Sequence, residues 1–472
     1  MHHLHHYAII EVNQNYILYP LIRSRNNVKK ISKFCTSWHK KRFKICANLV
    51  THLKNIIFSE SFLARHRQHL NDFTRNRLLP FHMLILFMIN YLKSALQVEL
   101  NNFFKAIHCM DVSKEVITAS AFCQARKKLK HQAFIELTQA LISYFYSYFS
   151  TRQWNGLHVL AIDGSTLRLP NLSAIADYFG GRANDDSCPL ARVSQLYDVR
   201  NKLILDAAIS PYATGERELA IQHVASLQKH HLVLLDRGYA SFWIFALLRS
   251  RNAHFCARMN IDLWAAVDQF QQSGESEMLY TLYPNAQASQ KCRELNLPTA
   301  PLPVRLIRIE LENGEVEILL TSLLDSTQYP STCFGELYHE RWGIEENYKT
   351  LKHRQQMENW TGKSVESIYQ DFHARIFSYN LTAALVHPVQ EEISQEKTTR
   401  LYDYQVNFSK ALSSMKDSII LLFLRTTLST LILDLKLLFR QNLEPIRPGR
   451  RYPRKPKIRN RQTYSFVLKQ AF

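Results

Sequence analysis

The stretch His158-Val-Leu-Ala-Ile-Asp163-Gly-Ser165 decides the fold. Its first five residues form a short apolar run, which reads as a buried strand that Asp163-Gly-Ser ends. Leu232-Val-Leu-Leu235 repeats the pattern and is ended by Asp236-Arg-Gly-Tyr239. Around these two, 193–199, 203–209 and 254–259 read as further strands, and 216–227 and 242–249 as helices. Strands interleaved with helices indicate an α/β sheet.

Working outward, 304–311 and 316–321 flank Glu312-Asn313-Gly314, and Asn-Gly is a strong hairpin signal. Residues 262–330 therefore read as a β-rich insertion. On the N-terminal side, Leu84, Phe87, Met88, Tyr91, Leu92 and Leu96 recur at helical steps. Residues 113–124 lead into a short basic helix at 125–129, which reads as part of a helix-turn-helix-like unit or as an ordinary solvated helix. Helical periodicity returns at 333–387, a polar linker is expected at 391–399, and a last helical unit at 402–440. The expected division is a basic leader (1–45), a helical DNA-binding domain (46–150), a core in two parts (151–261 and 331–392) around the insertion, and a helical C-terminal region with a basic tail (393–472).

Charge narrows the function. The 472 residues hold 59 Lys and Arg against 40 Asp and Glu, a formal charge of +19. Such a surface suits a polyanion, nucleic acid or an acidic membrane. The most apolar stretches, 78–92 and 418–439, are too short or carry charges, whereas a span needs ~20 largely uncharged residues. The start, with His2, His3, His5 and His6, lacks a secretory layout. Eight cysteines without a CxxC pair fit a reducing compartment. A cytoplasmic protein that binds nucleic acid is expected.

Two constellations carry chemistry. Asp163 and Asp236 each follow a buried strand, and the carboxyl ends of strands are where ligands gather. Either one alone reads more readily as a turn residue. The second constellation runs from Tyr338 to Lys352. On a continuous helix, Tyr338, Arg341, Glu345 and Lys352 share one face, and Leu337, Ile344 and Leu351 form an apolar stripe. The plainer reading is a solvated face with an Arg341–Glu345 ion pair. Taken together, two strand-end aspartates and a helical glutamate suit two Mg²⁺ ions about 4 Å apart, acting on a phosphodiester. Arg341 and Lys352 would hold phosphates, and Tyr338 would add a hydroxyl or a stacking surface. Arg450, Arg451, Arg454 and Lys455 lie in a stretch from 447 to 461 without an acidic residue, suited to non-specific DNA contact.

The spacing Tyr-x2-Arg-x3-Glu-x6-Lys, with Leu160-Ala-Ile-Asp163-Gly-Ser-Thr, Leu235-Asp236-Arg-Gly-Tyr239 and Ile318-Leu-Leu-Thr-Ser322, resembles the insertion-sequence-four family of DDE transposases. The resemblance covers about residues 60–390. It implies an α/β RNase H-like catalytic core with a β-rich insertion, flanked by helical regions. It implies Asp163, Asp236 and Glu345 as catalytic metal ligands for Mg²⁺, with Mn²⁺ as the alternative. It implies Tyr338, Arg341 and Lys352 on DNA near a flipped base. The implied function is cut-and-paste transposition through DNA hairpins, by a homodimer paired on terminal inverted repeats and then joined to target DNA, in the bacterial cytoplasm at the nucleoid. Some relatives place a tryptophan just before the Leu-Leu-Thr-Ser stretch to stack on the flipped base. Glu317 stands near that position here, which leaves Trp264 as the insertion's candidate.

Two other classes stay open. One is a catalytically silent DNA-binding copy that regulates transposition. The other is an RNase H-fold nuclease that cuts without joining, which the intact Tyr-Arg-Glu-Lys pattern disfavours. A phosphatase would need Asp-x-Asp, and Ser165 stands two beyond Asp163.

Overall fold

The computed structural model describes residues 44–447, except 91, 181–187, 261–263, 312–313, 397–400 and 417, and the backbone of 7–12, 15–20 and 37–43. Most of the basic leader, and Arg450, Arg451, Arg454 and Lys455, lie outside the described residues.

Among the described residues eight strands join in one mixed sheet. They are β1 (His158–Arg168), β2 (Leu190–Asp198), β3 (Leu203–Pro211), β4 (His231–Leu235), β5 (His254–Arg258), β6 (Glu277–Leu282), β7 (Leu302–Glu310) and β8 (Val316–Thr321). Their spatial order is β3-β2-β1-β4-β5-β8-β7-β6. The pairs β1–β2 and β2–β3 are antiparallel, while β1–β4 and β4–β5 are parallel. The alternation of apolar runs with helices predicts this mixed α/β core. Every residue of β4 is buried, as expected of a central parallel strand covered on both faces. Burying each of its leucines contributes roughly 1.5–3 kcal/mol.

The expected insertion extends the same sheet. β8 pairs antiparallel with β5, and β7 and β6 follow. β7 and β8 pair as the expected hairpin, Val316 opposite Glu310, with Gly314 at φ +80°. Helices Ala265–Ser273 and Ala286–Glu294 also belong to this stretch.

The helical parts meet on one long helix, Val365–Gln395, buried on almost all sides. Helix Gln132–Tyr148 and strand β3 pack against it. Helix Leu428–Gln441 does so too, and helix Ser37–Ile57 contacts both. Its buried Asn380 side chain is hydrogen-bonded to β3. Asn380 accepts the Ile204 N–H and donates to the Ile204 carbonyl, each at 2.8 Å, so a side-chain amide stands in for a neighbouring strand. The linker expected at 391–399 is corrected in its first half, which is helix as far as Gln395. Glu392 is buried there because Lys436, at 2.7 Å, neutralises it.

Candidate active site

The parallel register pairs Ile162 with Leu235, so Asp163 on β1 and Asp236, the residue after β4, stand level. Adjacent strands lie about 4.8 Å apart. The expectation that Asp163-Gly-Ser ends its strand is corrected. β1 runs on to Arg168, because β2 continues to pair with it. Asp163 marks instead the point where β1 loses its parallel neighbour. Each carboxylate accepts the next backbone N–H, Asp163 from Gly164 at 2.9 Å and Asp236 from Arg237 at 2.8 Å. Burial pushes Asp163 up to about 6. Glu345 and Asp236 add to that shift, while the Gly164 N–H and Arg341 work against it.

The third acid arrives on a broken helix. A continuous helix through 338–352 is expected. The structure has helix Phe334–His339, a tight turn at 340–341, helix Trp342–Lys349 and a π-helical turn Thr350–Arg354. Bonds of the i→i+3 type from Arg341 to Tyr338 and from Gly343 to Glu340 make the first bend. Departures of both kinds mark functional sites in many helices. On either side of that turn, two phenols brace the two aspartate strands. Tyr338 donates to the Leu235 carbonyl at 3.1 Å, and Tyr348 to the Asp163 carbonyl at 2.9 Å. Lys352, on the π turn, donates to Ser165 at 2.9 Å, two residues beyond Asp163.

Arg341 is buried and ion-paired with Glu345 at 3.0 Å. Its guanidinium lies 5.9 Å from the Tyr338 ring centroid and 5.4 Å from that of Trp342. Burial alone would lower its pKa, but Tyr338, Asp236 and Glu345 outweigh that and raise it. The structure thus gathers Asp163, Asp236, Glu345, Tyr338, Arg341 and Lys352 in one place. Trp264 is the N-cap residue of helix Ala265–Ser273, half-buried against the core.

Among the described residues no three His, Cys, Asp or Glu side chains converge closely enough to hold a metal ion. Glu345 is turned to Arg341. The donor chemistry nevertheless fits a divalent cation, since a bound ion would offset the burial that raises Asp163 and the smaller repulsion from Glu345 and Asp236. Asp163 and Asp236 would hold it, joined by Glu345 once Arg341 releases it.

Several residues of this neighbourhood escape sequence reasoning. Tyr348 follows Glu345 by three positions and reads as one more aromatic. Asn347 donates to Gln195 of β2 at 2.8 Å and ties the Glu345 helix to the sheet. Trp342 is 39% exposed beside Arg341 and offers a flat apolar surface at the site. Its adjacency to Arg341 was the available signal.

The transposase DDE domain family matches residues 154–381. The transposase InsG for insertion sequence element IS4, from Escherichia coli strain K12, is 26% identical over 275 residues, covering 57% of this chain and 61% of InsG. The putative transposase InsZ of the same strain is 28% identical over 109 residues, 22% of this chain and 36% of InsZ. This chain therefore spans less than two thirds of either relative. A cryo-EM structure of the piggyBac transposase synaptic complex with hairpin DNA aligns over 83% of each chain, with a TM-score of 0.41 and 11% identity. With its aspartates level on adjacent strands and its Tyr-Arg-Glu-Lys residues gathered beside them, the chain is similar over this stretch to the DDE transposases of insertion sequences such as IS4.

Proposed function

We propose that this chain cuts and joins DNA at the ends of an insertion sequence, with Asp163, Asp236 and Glu345 as its catalytic carboxylates on an RNase H-like core. The observation that carries the reading is the level placement of Asp163 and Asp236, with the Glu345 helix anchored beside Asp163 by Tyr348 and the helix before it anchored to β4 by Tyr338. A bound divalent ion, Mg²⁺ or Mn²⁺, would activate the attacking hydroxyl and stabilise the leaving oxygen of a phosphodiester.

The chain's own residues have separate tasks. Asp163 and Asp236 present negative charge from rigid strands. Arg341 neutralises Glu345 in the free protein and turns to a DNA phosphate when the substrate arrives. Lys352 holds the adjoining phosphate beside Ser165. Tyr338 is buried and acts through the Leu235 carbonyl, so the flat surface offered to an unstacked base is Trp342. Hairpin intermediates, pairing of the ends in a homodimer, and capture of target DNA complete the proposal. The basic stretch with Arg450, Arg451, Arg454 and Lys455, and the helices of 46–150, add duplex affinity.

A silent DNA-binding copy that regulates transposition is the second reading, favoured by the Arg341–Glu345 pair. The test is a linear DNA carrying the element's own ends, incubated with and without Mg²⁺ and run on a denaturing gel beside Glu345→Ala. Mg²⁺-dependent nicks and hairpins that the variant lacks are the expected result. Binding without cleavage would favour the silent copy.

A further inference from the structure

Behind Asp163 lies a second cluster that phosphodiester chemistry does not use. Ser194 of β2, His223 and Asp206 of β3 line up as hydroxyl, imidazole and carboxylate. His223 Nε2 is 2.9 Å from Ser194 Oγ, and His223 Nδ1 is 2.8 Å from Asp206 Oδ2. The order is that of a hydrolytic triad. A nucleophile must meet its substrate, however, and Ser194 and His223 are both fully buried. Acyl-transfer chemistry is therefore excluded for this cluster.

The cluster acts on the strand that carries Asp163. Ser194 sits directly across the sheet from Gly164. Its hydroxyl lies 3.4 Å from the Asp163 carbonyl oxygen, which also accepts the Tyr348 hydroxyl. Beyond Ile162 the register with β4 ends, so β1 has lost one of its two flanking ladders there. The same face is closely filled. A Cβ at Gly164 would lie 2.9 Å from the Glu216 side chain. The next residue of β2, Gln195, points to the other face and accepts from Asn347, on the helix of Glu345. Two consecutive residues of β2 thus brace the Asp163 strand from one face and the Glu345 helix from the other. Asp206, 26% exposed, is the outer end of the relay.

We propose that Asp206, His223 and Ser194 form a positioning relay that fixes the Asp163 carboxylate for a divalent metal ion. The inference rests on the reading of Asp163 as a metal ligand. Groups that orient metal ligands from behind typically change affinity by about 10–100-fold when removed.

The test titrates the full chain with Mn²⁺ alone, following free Mn²⁺ by electron paramagnetic resonance. Ser194→Ala and His223→Gln are expected to weaken Mn²⁺ binding about tenfold, and Ser194→Thr, which keeps the hydroxyl, to restore it. Val193→Ala, a core truncation on the same strand, is expected to lower thermal stability and leave Mn²⁺ affinity unchanged. Wild-type Mn²⁺ affinity in a folded Ser194→Ala protein would overturn the relay. Should the buried variants fail to fold, Asp206→Ala at the exposed end decides, and unchanged affinity there overturns it equally. Asp163→Asn separates the two layers. If it binds Mn²⁺ like the wild type, the metal-site reading fails and the relay falls with it.

Discussion

At the residue scale, Arg341 and Asp163 make opposite demands on a metal ion. Arg341 is the cation already among the carboxylates, paired with Glu345 at 3.0 Å. Arg341→Gln frees Glu345 and leaves the carboxylate repulsion to be relieved by an ion. Mn²⁺ affinity without DNA is expected to rise several-fold while DNA affinity falls. Isothermal titration of both ligands checks this, and loss of both affinities would assign Arg341 a structural role. Asp163 gives a pH signature. Its pKa is raised to about 6 by burial, with Glu345 and Asp236 adding, against about 3.9 in an unfolded chain. Between those values the folded state holds the extra proton, so ionising Asp163 costs stability as pH rises. A bound divalent ion cancels that cost. The Tm gain from Mg²⁺ should therefore be larger at pH 7.5 than at pH 5, and an equal gain at both would mean that Asp163 is not a ligand.

At the element scale, what could be read from sequence was what local pattern encodes. The buried runs at 158–162 and 232–235 locate β1 and β4, and Asn313-Gly314 locates the β7–β8 hairpin. The acidic residues that follow those runs, Asp163 and Asp236, are side by side for the same reason. Strand length was not legible, since β1 continues past Asp163 only because β2 pairs with it there. Nor was the bend at Arg341. Two hydroxyl contacts with distant strands flank it, and no local spacing records those. The relay behind Asp163 escaped for the same reason, its members lying on three elements. The long helix Val365–Gln395 hides a further nonlocal contact, a buried ion pair at 2.9 Å between Asp371 and Arg126. Thr361 and Gln370 complete its hydrogen bonds. Asp371→Leu strands the Arg126 charge and should cost about 3–5 kcal/mol. The double variant Arg126→Met/Asp371→Leu should recover much of that, because apolar replacement of a buried pair is often neutral. Urea unfolding of the three proteins measures it. A double variant no more stable than Asp371→Leu would show that packing rather than charge dominates there.

At the scale of the whole molecule, charge governs both acid stability and DNA binding. His373 is pushed down to about 3 by burial, with His131 adding, and burial pushes His231 down to about 4. Unfolded histidine titrates near 6.5. Their contribution is therefore complete above that value and lost as pH falls toward the folded values, because the unfolded chain binds the extra protons. Thermal melts should show Tm falling from pH 6.5 to pH 4.5 in the metal-free protein, and less so in His373→Phe. DNA binding draws on the formal charge of +19. A large share of that charge is concentrated at 447–461, where Arg447, Arg450, Arg451, Arg454, Lys455, Lys457, Arg459 and Arg461 occur without an acidic residue and with Pro448, Pro453 and Pro456 between them. Each phosphate neutralised on a duplex contributes about 0.9 to the slope of log affinity against log salt. Removing 447–472 should flatten that slope by several units and weaken binding to any duplex about equally. Mg²⁺-dependent affinity for the carboxylate site should be untouched, because the site residues lie between Asp163 and Lys352. Binding isotherms at several salt concentrations decide the matter. A slope identical to that of the full chain would mean that this stretch does not lie on DNA, and that the charge that counts is carried by the folded helices and sheet.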